Sequence, residues 1–209
     1  MRTLRSVLIL CAITLINFAF DQPDETPKGW TFGADRANFK AGLDNKVSQH
    51  GQNSAAIESV VENPPDFCTL MQSSVIKDFS GKRVKMTGFI KSQGINVTGS
   101  MWIRVDDFGN KIFADFDNMM DRPVTGDKDW TKCEIVFDVT EKCVLFFGFI
   151  FQGTGKIWVD NVSFEIVSNT ASKTAKSLDQ PFPEEYLNRL KEYPEGFLEK
   201  PSVNLDFEE

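Results

Sequence analysis

A chain of 209 residues has room for one well-buried domain with tails, and not for two large ones. Its formal charge of −7, with no clustered Lys or Arg, excludes a nucleic-acid surface, which needs cations gathered opposite phosphate. Aromatic usage is lopsided, with 19 Phe and 4 Trp against 2 Tyr (Tyr186 and Tyr193), so the apolar core is expected to be rich in Phe.

The chain opens like an export signal. Arg2 and Arg5 make a positive start, and Ser6 to Phe20 are uncharged, mostly apolar and too short to span a bilayer comfortably. Residues 1–15 are therefore read as a signal peptide or apolar N-terminal segment, with a mature chain starting near Ile16, no stable membrane span after processing, and a secreted or cell-envelope location. The four cysteines are Cys11, Cys68, Cys133 and Cys143, and processing would leave an odd number. Cys133 alternates with Ile135, Phe137 and Val139, as a buried thiol used as a small hydrophobe does. A bridge to Cys143 would need adjacent strands in register, and no C-x-x-C spacing signals zinc.

From Ile16 to about Val167, strand signals repeat between Gly, Pro, Asn and Asp. A small, polar loop at Asp44–Ser54 leads into Ala55–Val61. Gly81 opens a strand with Val84, Met86 and Ile90 on one side and Lys85, Thr87 and Lys91 on the other. After a turn at Asn96–Ser100, Met101–Asp106 alternates strictly. Met101, Ile103 and Val105 face one way, and Trp102, Arg104 and Asp106 the other. Asp107–Asn110 then forms a hairpin into Lys111–Phe116. Strands follow at Cys133–Val139 and Val144–Phe151, and Gly153-Thr154-Gly155 turns into the last, carrying Val162, Phe164 and Ile166. Many short strands without a convincing helix indicate an all-β sandwich or jelly roll at 16–167. Residues 168–209 form an acidic tail with four prolines. Within it Glu184–Tyr193 has room for two or three helical turns with Leu187 and Leu190 on one face. A segment so short is marginal alone, so the tail is expected to be irregular or loosely docked.

Catalytic signatures are sparse. The single histidine, His50, sits in a polar loop, and no G-x-S-x-G, H-E-x-x-H or phosphate loop occurs. Asp106, Asp115 and Asp117 could meet across a hairpin as acid and base. The Trp102–Arg104–Asp106 face suits a binding module better. Sugar recognition wants an aromatic plane for the ring's apolar face and bidentate polar groups for its hydroxyls. Asp117, Asn118 and Arg122 could extend the polar rim. The plainer alternative has Trp102 covered by a loop and Arg104–Asp106 as a structural ion pair.

Several stretches together resemble a bacterial family of galactose-binding-like jelly-roll domains, related in shape to carbohydrate-binding modules. They are PKGW at Pro27–Trp30, GLD at Gly42–Asp44, SGKRVKMTGFIK at Ser80–Lys91 and WIRVD at Trp102–Asp106. FDNMMDRP at Phe116–Pro123, GDKDW at Gly126–Trp130 and GTGKIWVDNV at Gly153–Val162 complete the set. Such domains are associated with erythromycin esterase-like and other hydrolase proteins and with appendages of some transcriptional regulators. The resemblance implies a non-catalytic β-sandwich. Cys133 departs from it, standing where an aromatic is expected. Such domains open on an N-L-x-F-E strand, which Asn17-Phe18-Ala19-Phe20-Asp21 resembles. Asn204-Leu205-Asp206-Phe207-Glu208 resembles it too, either as a terminal strand or as the stump of a second module. The resemblance also implies a structural calcium joining first strand to last, through Asp21 and Asp160 with backbone oxygens of the Asp44–Ser54 loop.

The expectation is a secreted or envelope-associated, non-catalytic module for carbohydrate. Two alternatives stand beside it. One is a structural or protein-interaction sandwich packed on a partner hydrolase, and the other is a small acid/base hydrolase using Asp106 and Asp117.

Overall fold

The computed structural model describes residues 26–192 and 200–209. Eleven strands form two facing antiparallel sheets. In chain order they are β1 (Thr31–Gly33), β2 (Phe39–Asp44), β3 (Ser54–Ser59), β4 (Phe67–Ser74), β5 (Arg83–Gln93), β6 (Thr98–Asp107), β7 (Ile112–Asp117), β8 (Lys128–Asp138), β9 (Cys143–Gln152), β10 (Lys156–Ile166) and β11 (Lys176–Pro181). One sheet runs β1-β4-β9-β6-β7-β11 and the other β2-β3-β10-β5-β8. From β7 to β11 every connection crosses from one sheet to the other, as a jelly roll requires. The architecture is the all-β jelly-roll sandwich that the strand pattern foretold.

The core lies between the sheets and follows from period-two burial. Along β9, Phe147, Phe149 and Phe151 point inward and are fully buried, and Met101, Ile103 and Val105 do the same on β6. Met86 and Ile90 on β5, Ile135 and Phe137 on β8, and Ile157 and Val159 on β10 meet them from the opposite sheet. On β9, Gly148 is required by close packing, because a Cβ there would lie 2.1 Å from the Leu70 carbonyl oxygen. Cys133 is buried in this core as expected, and burial pushes its thiol up to about 12. Cys68, Cys133 and Cys143 are all free thiols. Cys133 and Cys143 lie on strands of different sheets.

The tail contains the expected short helix within Glu184–Tyr193, but it is docked and carries a strand, where a loose segment was expected. β11 pairs with β7, through Lys176↔Phe116 and Gln180↔Phe113. A helix, α1 (Glu184–Leu190), follows and buries Tyr186 completely against Phe113 and Phe182, with Leu187 and Leu190 packed alongside. Further on, the Gln72 side-chain amide both donates to the Val203 carbonyl (2.6 Å) and accepts from the Val203 N–H (3.2 Å). Phe207 is fully buried and stacks on Trp30 at 4.8 Å between ring centroids. The final residues are therefore part of this sandwich's own core and not the stump of a second module. A helix of seven residues is unstable by itself, but docking onto an apolar sheet face supplies what it lacks. Among the described residues no helix is long and apolar enough to cross a membrane.

Candidate ligand-binding site

The alternation of β6 holds, but the face it presents is not open. Trp102, Arg104 and Asp106 are 2 %, 2 % and 0 % exposed. Trp102 donates its indole N–H to Thr69 Oγ1 (2.9 Å) and packs with Met71, Val144 and Phe146 on the outer side of the six-stranded sheet. The Arg104 guanidinium forks onto the Asp106 carboxylate at 2.6 and 2.8 Å. It also lies 4.8 Å from the ring centre of Phe113 and 4.9 Å from that of Phe146, with the Tyr186 ring of α1 at 5.7 Å. The Tyr186 hydroxyl donates to Asp106 Oδ2, the oxygen that also accepts from Arg104 Nη2. Burial works against the Arg104 charge, but the adjacent Asp106 outweighs it and raises the guanidinium pKa further. The expected saccharide platform is thus a buried ion pair in an aromatic box, closed by the chain's own C-terminal helix.

The other predicted rim residues gather elsewhere. β7 pairs Asp117 with Ile103 and Asp115 with Val105, so both acids share the inward side of their strand. Asp106 shares the outward side with Arg104, so Asp106 and Asp117 point to opposite faces and cannot act together as acid and base. Asp117 accepts the Met119 N–H and pairs with Arg122 at 2.6 Å. Arg122 also holds Asp121 (2.7 Å) and donates to the Glu134 carbonyl, tying the loop after β7 to β8 in the other sheet. Asn118 is half-buried beside them.

Asp21, together with the whole apolar N-terminal stretch, lies outside the described residues. Asp160 is fully buried, and its carboxylate accepts three backbone N–H groups: Gln49 (2.7 Å), His50 (3.0 Å) and Asn161 (2.6 Å). The Asp44–Ser54 loop therefore turns donors, not carbonyl oxygens, toward this acid. No group of three or more metal-ligating side chains occurs among the described residues. The described residues do not fit a calcium cage, because N–H donors occupy the carboxylate oxygens that a cation would need.

The open surface is the outer side of the five-stranded sheet. Ile157 and Val159 face the core, so Trp158 between them faces out, flanked by its registered neighbours Lys91 on β5 and Ala56 on β3. Trp158 is 6 % exposed and held by polar contacts. Its indole N–H donates to Asp44 Oδ2 (2.8 Å), and the Lys156 ammonium lies 4.5 Å over the ring and 3.1 Å from the same carboxylate. Burial pushes the Asp44 carboxyl up, but hydrogen bonds from Trp158, the Lys46 backbone and Lys156, with the Lys156 charge, outweigh it and bring it down to about 2. Beside Trp158 opens a shallow cleft of about 390 Å³, bounded by Lys91, Gln93, Asp127, Lys128 and Asp129. Lys91 bonds Asp129 at 2.7 Å, which holds that exposed carboxyl below its ordinary value. Asp127 accepts the Gly94 N–H. The cleft offers ammonium and amide donors next to carboxylate acceptors, around the edge of one indole.

Sequence reasoning did not single out this cleft. Trp158 sits between Ile157 and Val159, where nothing marks one face as open. The usable signals were Lys91 alternating outward on β5 and the charged GDKDW turn, both of which line the cleft.

Fold and site together define a jelly-roll β-sandwich with one outer face covered by its own helix and the other bearing an open cleft. No family model matches the chain. It is 35% identical over 185 residues to an uncharacterized HTH-type transcriptional regulator, YbfP, of Bacillus subtilis (strain 168), an alignment covering 87% of this chain. The chain spans 57% of the length of that relative. Among solved structures it superposes on the enzymatically active domain of tailspike protein 4 of bacteriophage CBA120. There the TM-score is 0.53 at 17% identity, covering 68% of this chain and 20% of that one, and the likeness is one of fold. It also matches the CBM22-1 xylan-binding domain of Paenibacillus barcinonensis Xyn10C, with a TM-score of 0.48 and 16% identity over 70% of this chain and 91% of that one.

Proposed function

We propose that the chain is a non-catalytic binding module for carbohydrate and that its contact surface is the cleft beside Trp158. The observation that carries this reading is the asymmetry of the two outer faces. On the six-stranded sheet, Trp102 and Arg104 are buried and α1 lies against the Arg104 end of the face. On the five-stranded sheet Trp158 is itself only 6 % exposed, but Lys91, Gln93, Lys128 and Asp129 beside it border an open cleft. Alternating charged donors and acceptors suit vicinal hydroxyls, which both give and take hydrogen bonds. In this reading residues 1–15 direct export, and the module works outside the cytoplasm or at the envelope.

A second reading is favoured by the Bacillus subtilis regulator, to which most of this chain aligns. There the same cleft would report a small polar ligand to an attached or partner domain. Glycan-array screening followed by calorimetry on wild type, Gln93→Ala and Lys128→Ala tests the first reading. Saccharide binding weakened by both changes supports it. Absence of binding to any glycan would leave the second reading ahead.

A further inference from the structure

The cleft beside Trp158 holds hydrogen-bonding groups but takes no free aromatic plane from Trp158 itself. That ring is almost wholly buried, and the Lys156 ammonium already lies 4.5 Å over it. A sugar ring carries C–H groups on its face as well as hydroxyls at its edge, and a flat apolar surface is what satisfies the face. The four tryptophans divide sharply in this respect. The indole N–H of Trp30 donates to the Asn204 carbonyl, that of Trp102 to Thr69 and that of Trp158 to Asp44. Trp130 is only half-buried. Among the described residues its indole N–H has no acceptor, and its ring joins none of the three apolar clusters.

A bulge puts Trp130 at the rim of that cleft. Ile90 pairs with Thr131 and Ser92 with Lys128, so Lys91 on β5 stands opposite two residues of β8, Asp129 and Trp130. Ile90 is fully buried, and Lys91 next to it faces out. Asp129 reaches Lys91 at 2.7 Å, and its carboxylate also accepts the Trp130 backbone N–H. β8 is the last strand of its sheet, so no further strand covers this rim. We propose, resting on the carbohydrate reading of the cleft, that Trp130 is its stacking surface and that the ligand is an uncharged sugar ring. The apolar face of the ring lies on the Trp130 indole, and its hydroxyls meet Lys91, Gln93, Lys128 and Asp129. Lys91 and Lys128 are balanced along the cleft by Asp127 and Asp129, which leaves no net charge to select an acidic sugar.

The test titrates the full chain with neutral gluco-, xylo- and galacto-oligosaccharides, and with oligogalacturonate as the charged comparison. Trp130→Ala should weaken binding of a neutral probe by about tenfold or more, and Trp130→Phe, which keeps a ring, by about threefold or less. Both variants should melt within about 2 °C of wild type, because Trp130 lies outside the apolar clusters. A much larger loss would mark Trp130 as structural and overturn the proposal. A bound neutral probe should also shield wild-type fluorescence from acrylamide, and Trp130→Ala should lose that shielding. Binding weakened by Gln93→Ala and Lys128→Ala but unchanged in Trp130→Ala would overturn this inference and leave the cleft standing. Tighter binding of oligogalacturonate than of every neutral probe would overturn the ligand class. No binding of any probe would remove the carbohydrate reading and this inference together.

Discussion

Arg104 shows how a residue can be read correctly for direction and wrongly for role. Strand alternation placed it opposite Ile103 and Val105, and it is opposite them. Its charge, however, is spent inside an aromatic box on Asp106. Removing one partner of such a buried pair leaves the other unneutralised and typically costs about 3–5 kcal/mol. Asp106→Ala and Arg104→Ala should therefore lower the urea midpoint strongly without acting through any ligand, and Arg104→Lys should lower it too, because an ammonium lacks the two-donor fork. Asp44 gives a second residue-level expectation. Its folded pKa of about 2 lies below the ordinary 3.8, so the carboxylate stabilises the fold above about pH 4, and that contribution is lost as pH falls toward 2. Allowing for solvent screening, the term is about 1–2 kcal/mol. Asp44→Asn should be less stable at pH 7 and show a flatter acid limb in urea titrations between pH 4 and 2. Equal slopes for both proteins would contradict the Trp158–Asp44–Lys156 cluster as described.

At the scale of elements, periodicity carried the sandwich, because half-buried strands must alternate and these do. Ala55–Val61, Cys133–Val139 and Val144–Phe151 overlap β3, β8 and β9. β4 was not singled out. Phe67–Ser74 is buried on both faces over most of its length, which erases the alternation that marks a strand. The tail was read as loose because its own residues cannot stabilise a seven-residue helix, and its stability comes from a sheet face formed far away in sequence. Tyr186 joins the two, donating to Asp106 from α1. Tyr186→Phe keeps the ring contacts and removes only the hydroxyl, and should cost about 1.5–3 kcal/mol, the range for a hydrogen bond to a charged group. A change within error in chemical denaturation would mean that α1 is held by its apolar contacts alone. Ile103→Asp, on the core side of β6, should prevent folding altogether.

For the whole molecule, the sequence held enough to say which side of each strand is apolar, but not which sheet face the rest of the chain would cover. Trp102 and Trp158 look alike in sequence, each an aromatic between aliphatics with an acid following it, Asp106 four residues after the first and Asp160 two residues after the second. One faces the side closed over Arg104 by α1, and the other faces the open side beside Lys91 and Asp129. The choice between them depends on a contact between residues 80 apart, Asp106 and Tyr186, which no local pattern encodes. In the proposed reading, ligand binding belongs to the five-stranded sheet and not to the conspicuous WIRVD strand. The direct measurement is calorimetric titration, with a saccharide selected by glycan array, of wild type, Gln93→Ala, Lys128→Ala and Thr69→Val, the last releasing the Trp102 indole from its hydrogen bond. The account predicts that Gln93→Ala and Lys128→Ala each lose about 0.5–1.5 kcal/mol of binding free energy, the range for a net hydrogen bond, while folded Thr69→Val binds like wild type. Weakened binding in Thr69→Val with both cleft variants unaffected would contradict it.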